Sequence, residues 1–189
     1  NQDDPCQLTW IRHSHSDYPG YAELRYDAAG RMVGDEQGRR LSYDALGRLV
    51  SVEGSSGAVT YGYDALDLLR SRAGASGKRR DMYYRRGSVE TIVDEESAVT
   101  SFLRVAGQVV AQQQSDAAVS LACTDAKSSV LAVESGSDFS MAAYSPYGWS
   151  SGAGGAVKLG YNGELFDEEL DAYHLGNGYR VYSPTLMRF

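Results

Sequence analysis

The sequence predicts an all-β chain, a spiralling antiparallel sheet of short hairpins, and three observations point that way. Tyrosine and glycine are over-used, with 21 Gly and 14 Tyr beside only 4 Phe and 4 Pro in 189 residues. Tyr suits pleated strands, and Gly serves turns and bulges. A unit beginning Tyr-Asp recurs, and turn-forming residues return about every 8–12 positions, the spacing of all-β architectures. No stretch sustains a helical period.

The repeat unit is Tyr26-Asp27-Ala28-Ala29-Gly30-Arg31, then Tyr43-Asp44-Ala45-Leu46-Gly47-Arg48, then a decayed copy from Tyr63-Asp64 to Leu69, with starts 17 and 20 residues apart. Each copy lies between two stretches of period-2 alternation, so one repeat is one hairpin. Asp at the first turn position accepts from backbone amides two residues on, two ordinary residues make the right-handed turn, and Gly takes the left-handed bulge. In the third copy Asp67 replaces that Gly, and Asp tolerates the left-handed region better than most residues. Arg and Leu open the return strand and point to opposite faces, while Tyr buries its ring and keeps its hydroxyl at a polar boundary.

Shorter turns are expected at 35–38, 54–57 and 74–77, and further strands at 82–84, 88–93, 99–105, 108–112, 117–123, 129–133 and 139–144. Together these predict one continuous, curling sheet. Residues 144–157 carry Pro146 and clustered Gly and read as a loop. The segment 158–189 resumes with an Asn162-Gly163 turn, and Leu186 to Phe189 read as a strand-like stretch that looks cut rather than finished.

Net charge is −7 with pI near 4.9, which disfavours nucleic acid and anionic lipid as partners. Cys6 and Cys123 are too few for a disulfide framework or a four-cysteine zinc site and are read as free thiols. No apolar run is long enough to span a bilayer, and Asn1 to Cys6 lacks the order of a secretory signal. No cofactor is predicted.

From about Tyr21 onward the chain resembles the Rhs, or YD-repeat, family, which includes the C component of Tc toxin complexes and bacterial Rhs toxin shells. Beyond the Tyr-Asp units, residues 124–130 resemble the family's Thr-Asp-x-x-Gly-Ser-Val element, with Ser128 in place of Gly. Tyr144-Ser145-Pro146-Tyr147-Gly148 resembles Tyr-Asp-Pro-Tyr-Gly, with Ser145 in place of Asp. Gly163, Asp167, Tyr173, Leu175, Gly178, Tyr179, Arg180, Tyr182, Pro184, Arg188 and Phe189 match the Rhs-associated core signature.

The resemblance implies that the hairpins form part of a hollow β-cage enclosing a C-terminal toxin domain, released by an aspartyl autoprotease downstream of Phe189. It divides the chain into an opening segment 1–20, a hairpin shell 21–143, the Gly/Ser-rich loop 144–157 and a core block 158–189. Implied partners are the remainder of its own shell or a Tc-B-like shell protein, the enclosed toxin, and secretion machinery of Tc or type VI kind. The protein would be made in the bacterial cytoplasm and exported without a signal in this segment. The other reading is a cell-surface adhesin or carbohydrate-binding module, for which a groove of exposed Tyr and Trp would speak; a third is a peptidase.

Candidate chemistry elsewhere reads as structural. His13 and His15 could join Asp17 or Cys6 at a metal, but two imidazoles do not make a site. Asp167, Glu168, Glu169 and Asp171 could supply a general acid and base; their mutual repulsion favours an exposed acidic turn instead. Lys78, Arg79, Arg80, Arg85 and Arg86, interleaved with Tyr83 and Tyr84, could grip phosphates, yet alternation divides them between the outer face and the cavity side. Gly152 to Gly155 lacks the context of a phosphate loop, and Lys127 with Ser128 is a turn pair. The sequence therefore predicts a shell segment and no catalytic residue.

Overall fold

A computed structural model describes residues 7–14, 16, 20–150, 157–176, 178 and 180–188. Strands β1 (Trp10–Ile11) and β2 (Ala22–Glu23) form a small pair. There follow β3 (Arg25–Tyr26), β4 (Met32–Gly34), β5 (Arg40–Tyr43), β6 (Leu49–Gly54), β7 (Gly57–Tyr63), β8 (Leu69–Ala73) and β9 (Arg79–Arg85). The meander continues through β10 (Ser88–Asp94), β11 (Val99–Val105), β12 (Gln108–Gln114), β13 (Ser120–Thr124), β14 (Val130–Ser135) and β15 (Asp138–Met141). All thirteen strands from β3 to β15 pair in sequence order as one antiparallel sheet. The core block makes a separate three-stranded sheet from β16 (Leu165–Asp167), β17 (Ala172–Leu175) and β18 (Arg180–Tyr182). The expected single sheet thus holds through β15, where the chain turns back and lays the block on the face it has built.

Nine corners among the described residues share one geometry, beginning at Asp27, Asp35, Asp44, Asp64, Gly74, Asp94, Asp125, Ser145 and Gly160. In each, the first amide donates to the fifth carbonyl and the fourth amide to the first carbonyl. The fourth residue is left-handed in all nine, with φ between 62° and 81°. At Asp27, Asp35, Asp44, Asp64 and Asp125, Oδ1 accepts from the third and fifth amides at 2.8–3.0 Å. At Ser145 the Oγ takes the same two amides at 3.3 and 3.2 Å. The turn at 35–38 is therefore a full member of the series, and the supposed loop at 144–157 opens with another. Residues 151–156, including the Gly152–Gly155 cluster, lie outside the described residues.

One sheet face buries Leu49, Val52, Val59, Leu69, Met82, Ile92, Phe102, Val109, Val130 and Val133, and these meet Val157, Leu159, Leu170 and Ala172 of the block. The block reaches both flanks of the wall. Arg39, at the corner before β5, donates to the carbonyls of Glu169 and Leu170 at 2.8 and 3.0 Å, while Val130 of β14 donates to Gly160 at 3.2 Å. In a flat sheet β5 and β14 would lie about 43 Å apart at ~4.8 Å per strand. Strands of three or four residues do not bridge that gap, so the sheet curls around the block. At the far end, Leu186 is buried and sits with Met187 (φ 59°) in a turn closed by the Ser183–Arg188 bridge; of the strand-like stretch expected from Leu186 onward, the described residues 186–188 form a turn and a bridge instead.

The shared corner geometry predicts opposite effects of two substitutions. Gly47 has φ 80° with open space where a Cβ would stand, so Gly47→Ala should destabilise by about 1 kcal/mol through backbone strain alone. Ser97 is exposed with φ 63°, so Ser97→Gly should stabilise by roughly 0.5–1 kcal/mol. Urea unfolding midpoints read both.

Candidate functional site

The repeat residues act between hairpins as well as within them. Asp27 and Asp44 bind the guanidinium of their own Arg31 and Arg48 at 2.7 Å. The backbone amides of those arginines, ahead of the side-chain bonds, hold both carboxyls below the usual range. Arg31 then stacks over Tyr43 at 5.2 Å and Arg48 over Tyr63 at 4.9 Å, each on the tyrosine of the next repeat. The Tyr43 hydroxyl donates back to Met32 at 2.8 Å and Tyr63 to Leu49 at 2.9 Å. Tyr84 repeats this rung to Leu69 at 3.0 Å and Tyr144 to Val130 at 3.0 Å. Burial pushes Tyr43 and Tyr63 up to about 12, so both stay protonated donors at neutral pH. Gly30 and Gly47 supply the left-handed corners, Asp64 caps its turn without an arginine partner, and Tyr26 is half-buried in β3.

The core block docks through a buried charge that the acidic run conceals. Asp167 is 4% exposed, whereas Glu168, Glu169 and Asp171 face solvent. Arg72 of β8 grips it with Nε and Nη2, each at 2.8 Å. The Tyr61 hydroxyl of β7 donates at 2.9 Å, and His174 Nε2 lies at 3.2 Å. The amide of Glu169 adds a bond to Oδ1 at 3.1 Å. Burial alone would push the Asp167 pKa up, but the His174 and Arg72 hydrogen bonds overcome it and hold the carboxyl far below the usual range. Burial, reinforced by Asp167, raises Tyr61. The expectation of a wholly exposed acidic turn is corrected here, because side-chain and backbone donors together satisfy one of its carboxylates. Arg72 also reaches Glu169 at 3.1 Å.

A second set of contacts holds the Ser145 corner. Three hydroxyls from the block donate to three consecutive carbonyls: Tyr161 to Pro146 at 2.8 Å, Tyr182 to Tyr147 at 3.1 Å and Tyr173 to Gly148 at 3.1 Å. Tyr173 is 1% exposed and packs against Phe166 at 5.0 Å. Gly163 stands where a Cβ would come within 3.0 Å of Ser128, and at Gly178 a Cβ would collide with Leu69, so the block's glycines permit close approach to the wall. Leu175 is half-buried and Pro184 buried, while Arg180 and Arg188 are exposed. Tyr179 and Phe189 lie outside the described residues, as do Cys6, His15 and Asp17. Cys123 is a free, exposed thiol. Among the basic residues, Lys78 pairs with Glu96, Arg79 with Asp81 and Arg85 with Glu90 on the outside. Arg80 lines a cavity on the inner face.

This arrangement is mechanical: a charged lock and a tyrosine clamp join a folded block to a curved wall. Asp167→Ala leaves buried Arg72 with only the exposed Glu169 as a carboxylate partner and should lower the unfolding free energy by about 3 kcal/mol. Tyr61→Phe should cost about 1–3 kcal/mol. The folded pKa of Asp167 lies below that of an unfolded aspartate, about 3.9. Its contribution is therefore complete above that value and is lost as pH falls through the folded pKa. Urea titrations of both chains should show the gap between wild type and Asp167→Ala narrowing below about pH 4.

Comparisons with known proteins agree with this geometry. No curated protein sequence matches the chain. Among solved structures, the crystal structure of TcdB2-TccC3 aligns with a TM-score of 0.64 at 15% identity, over 96% of this chain and 12% of that one. The crystal structure of TcdB2-TccC3-Cdc42 gives 0.66 at 14% identity, over 96% and 11%. That of TcdB2-TccC3 without the hypervariable C-terminal region gives 0.60 at 14%, again over 96% and 11%. The chain thus spans about an eighth or less of the chains it resembles, and the likeness is one of fold. The family model for the Teneurin YD-shell matches residues 19–189, and the chain belongs to that YD-repeat shell family.

Proposed function

We propose that this shell segment is part of a capsule enclosing a toxin domain carried further along the same polypeptide. The observation that carries the proposal is the curl of the thirteen-stranded wall around a block locked at Asp167. A continuous ladder of backbone hydrogen bonds gives a rigid partition, and the alternating faces separate solvent from interior. Here the block fills the interior face, so the space for a cargo belongs to the longer protein. In that protein residues 21–143 serve as wall and 158–189 as the block at its end.

The partners follow from the same reading. The edges at β3 and β15 continue into the rest of the shell or into a Tc-B-like protein, a reading favoured by the TcdB2-TccC3 likeness. Self-cleavage by an aspartyl autoprotease falls after Phe189, and delivery uses a Tc or type VI machine after synthesis in the bacterial cytoplasm. No helix among the described residues is long and apolar enough to cross a membrane. Burial of Tyr61 and Tyr173 and half-burial of Tyr43, Tyr63 and Tyr84 favour a wall over an adhesin, which would present such rings to a ligand.

Limited proteolysis of the full polypeptide tests this. The region beyond the core block should survive protease in the intact protein and be digested when expressed alone or behind an Asp167→Ala wall. Equal digestion in all three would refute encapsulation.

A further inference from the structure

Two cations meet on the inner face with no counter-ion of their own. In the ladder Arg80 of β9 stands opposite Arg72 of β8 on one side and Asp94 of β10 on the other. Opposite residues of an antiparallel pair share a face, and Met82, two positions on, is buried, so Arg80 points inward with Arg72. Arg72 commits its guanidinium to Asp167 and Glu169, whereas Arg80 makes no hydrogen bond or ion pair among the described residues. From the block, Lys158 meets the same space, its backbone fixed by the Gln112 side chain at 3.0 Å and the Phe166 amide at 3.3 Å. Its ammonium is likewise unpaired among the described residues.

Both residues line a cavity of about 90 Å³ walled by Met82, Ile92, Val133 and Phe166, with Ser140 and Glu168 exposed at its lip. Burial, and after it the charge of Arg80, holds the Lys158 pKa below the usual lysine range, against smaller opposing effects of Glu168 and Asp94. The carboxylates nearby are turned elsewhere. Asp167 is bonded to Arg72, Asp94 accepts from the Ala98 amide of its own corner at 3.0 Å, and Glu168 faces solvent. None of the three pairs with Arg80 or Lys158 among the described residues. Two sheltered like charges cost stability unless a ligand brings the opposite charge.

We infer that this inner-face cavity binds one carboxylate on a short aliphatic stem, held between the Arg80 guanidinium and the Lys158 ammonium. The guanidinium offers a planar fork of donors and the ammonium a point charge, and the apolar walls take up the methylenes. A phosphate dianion would meet Asp94, Asp167 and Glu168 around a cavity with few other donors, and a cation would meet the two positive charges. The site does not depend on the capsule reading. An enclosed polypeptide is one source of such a group, through an acidic side chain, and a free small acid is the other.

The test is titration of the chain with sodium acetate and with glutamate capped at both ends, followed by NMR at the Arg80 and Lys158 amides and the Arg80 Nε–H. Capped glutamine, sodium phosphate and sodium chloride serve as comparisons. Carboxylate should give saturable shifts at least about tenfold tighter than any of these three. Binding of the capped glutamate identifies an acidic side chain as the source, and a response to acetate alone a free small acid. Arg80→Gln and Lys158→Met should each weaken binding at least about tenfold. A lysine whose pKa is lowered by folding destabilises the fold wherever it is charged, so Lys158→Met should also raise the urea midpoint of the free chain. Absence of saturable shifts, unchanged binding in both variants, phosphate bound as tightly as carboxylate, or a lowered midpoint in Lys158→Met would overturn the site.

Discussion

An ionised aspartate stays inside a protein only where donors replace its water, and that constraint decides where the core block sits. Besides donors within the block, Asp167 is held by two wall residues, Arg72 and Tyr61, that stand 95 and 106 positions earlier in the chain. Few placements of the block satisfy all of them, so the lock sets register between two sheets that share no strand. Apolar burial around Leu69, Met82 and Leu159 supplies the bulk of the attraction. It is not directional, and the charge supplies position.

The wall itself obeys local rules. Each hairpin needs a left-handed residue at its corner and a side-chain acceptor for the turn amides, and neighbouring hairpins are tied by the tyrosine rung and the arginine stacked on it. Those contacts reach no further than the next repeat, so a wall of this kind lengthens by repetition. The block is different in kind: the Asp35 corner at one flank and the Ser145 corner at the other are held by the same core block. A ladder that would otherwise be free to open is thereby fixed in curvature.

How much of this can be read from sequence follows the same division. The corners at Asp27, Asp44 and Asp64 are legible because spelling and geometry coincide within six residues. The corner at Asp35 carries the same Asp-x-x-Gly-Arg spelling but no preceding Tyr, and for that reason passes as an ordinary turn. Ser128 and Ser145 look like defects, yet one adopts the left-handed conformation and the other caps with its hydroxyl. The burial of Asp167 is not legible at all: it stands among three exposed acids, and Arg72 sits in an Arg-Ser-Arg alternation typical of a solvated strand face. Local chemistry is written in local sequence, whereas pairings across about a hundred residues require the fold.

The central claim, that block and wall form one mechanical unit through Asp167, is tested most directly by native-state hydrogen exchange. The amides of Glu169 and Leu170, bonded to Asp167, and those of Thr60 and Asp81 in the wall should open with the same free energy and the same denaturant dependence. Block amides that exchange by a separate opening, about 2 kcal/mol or more below the wall, would show a flap resting on a sheet that stands without it.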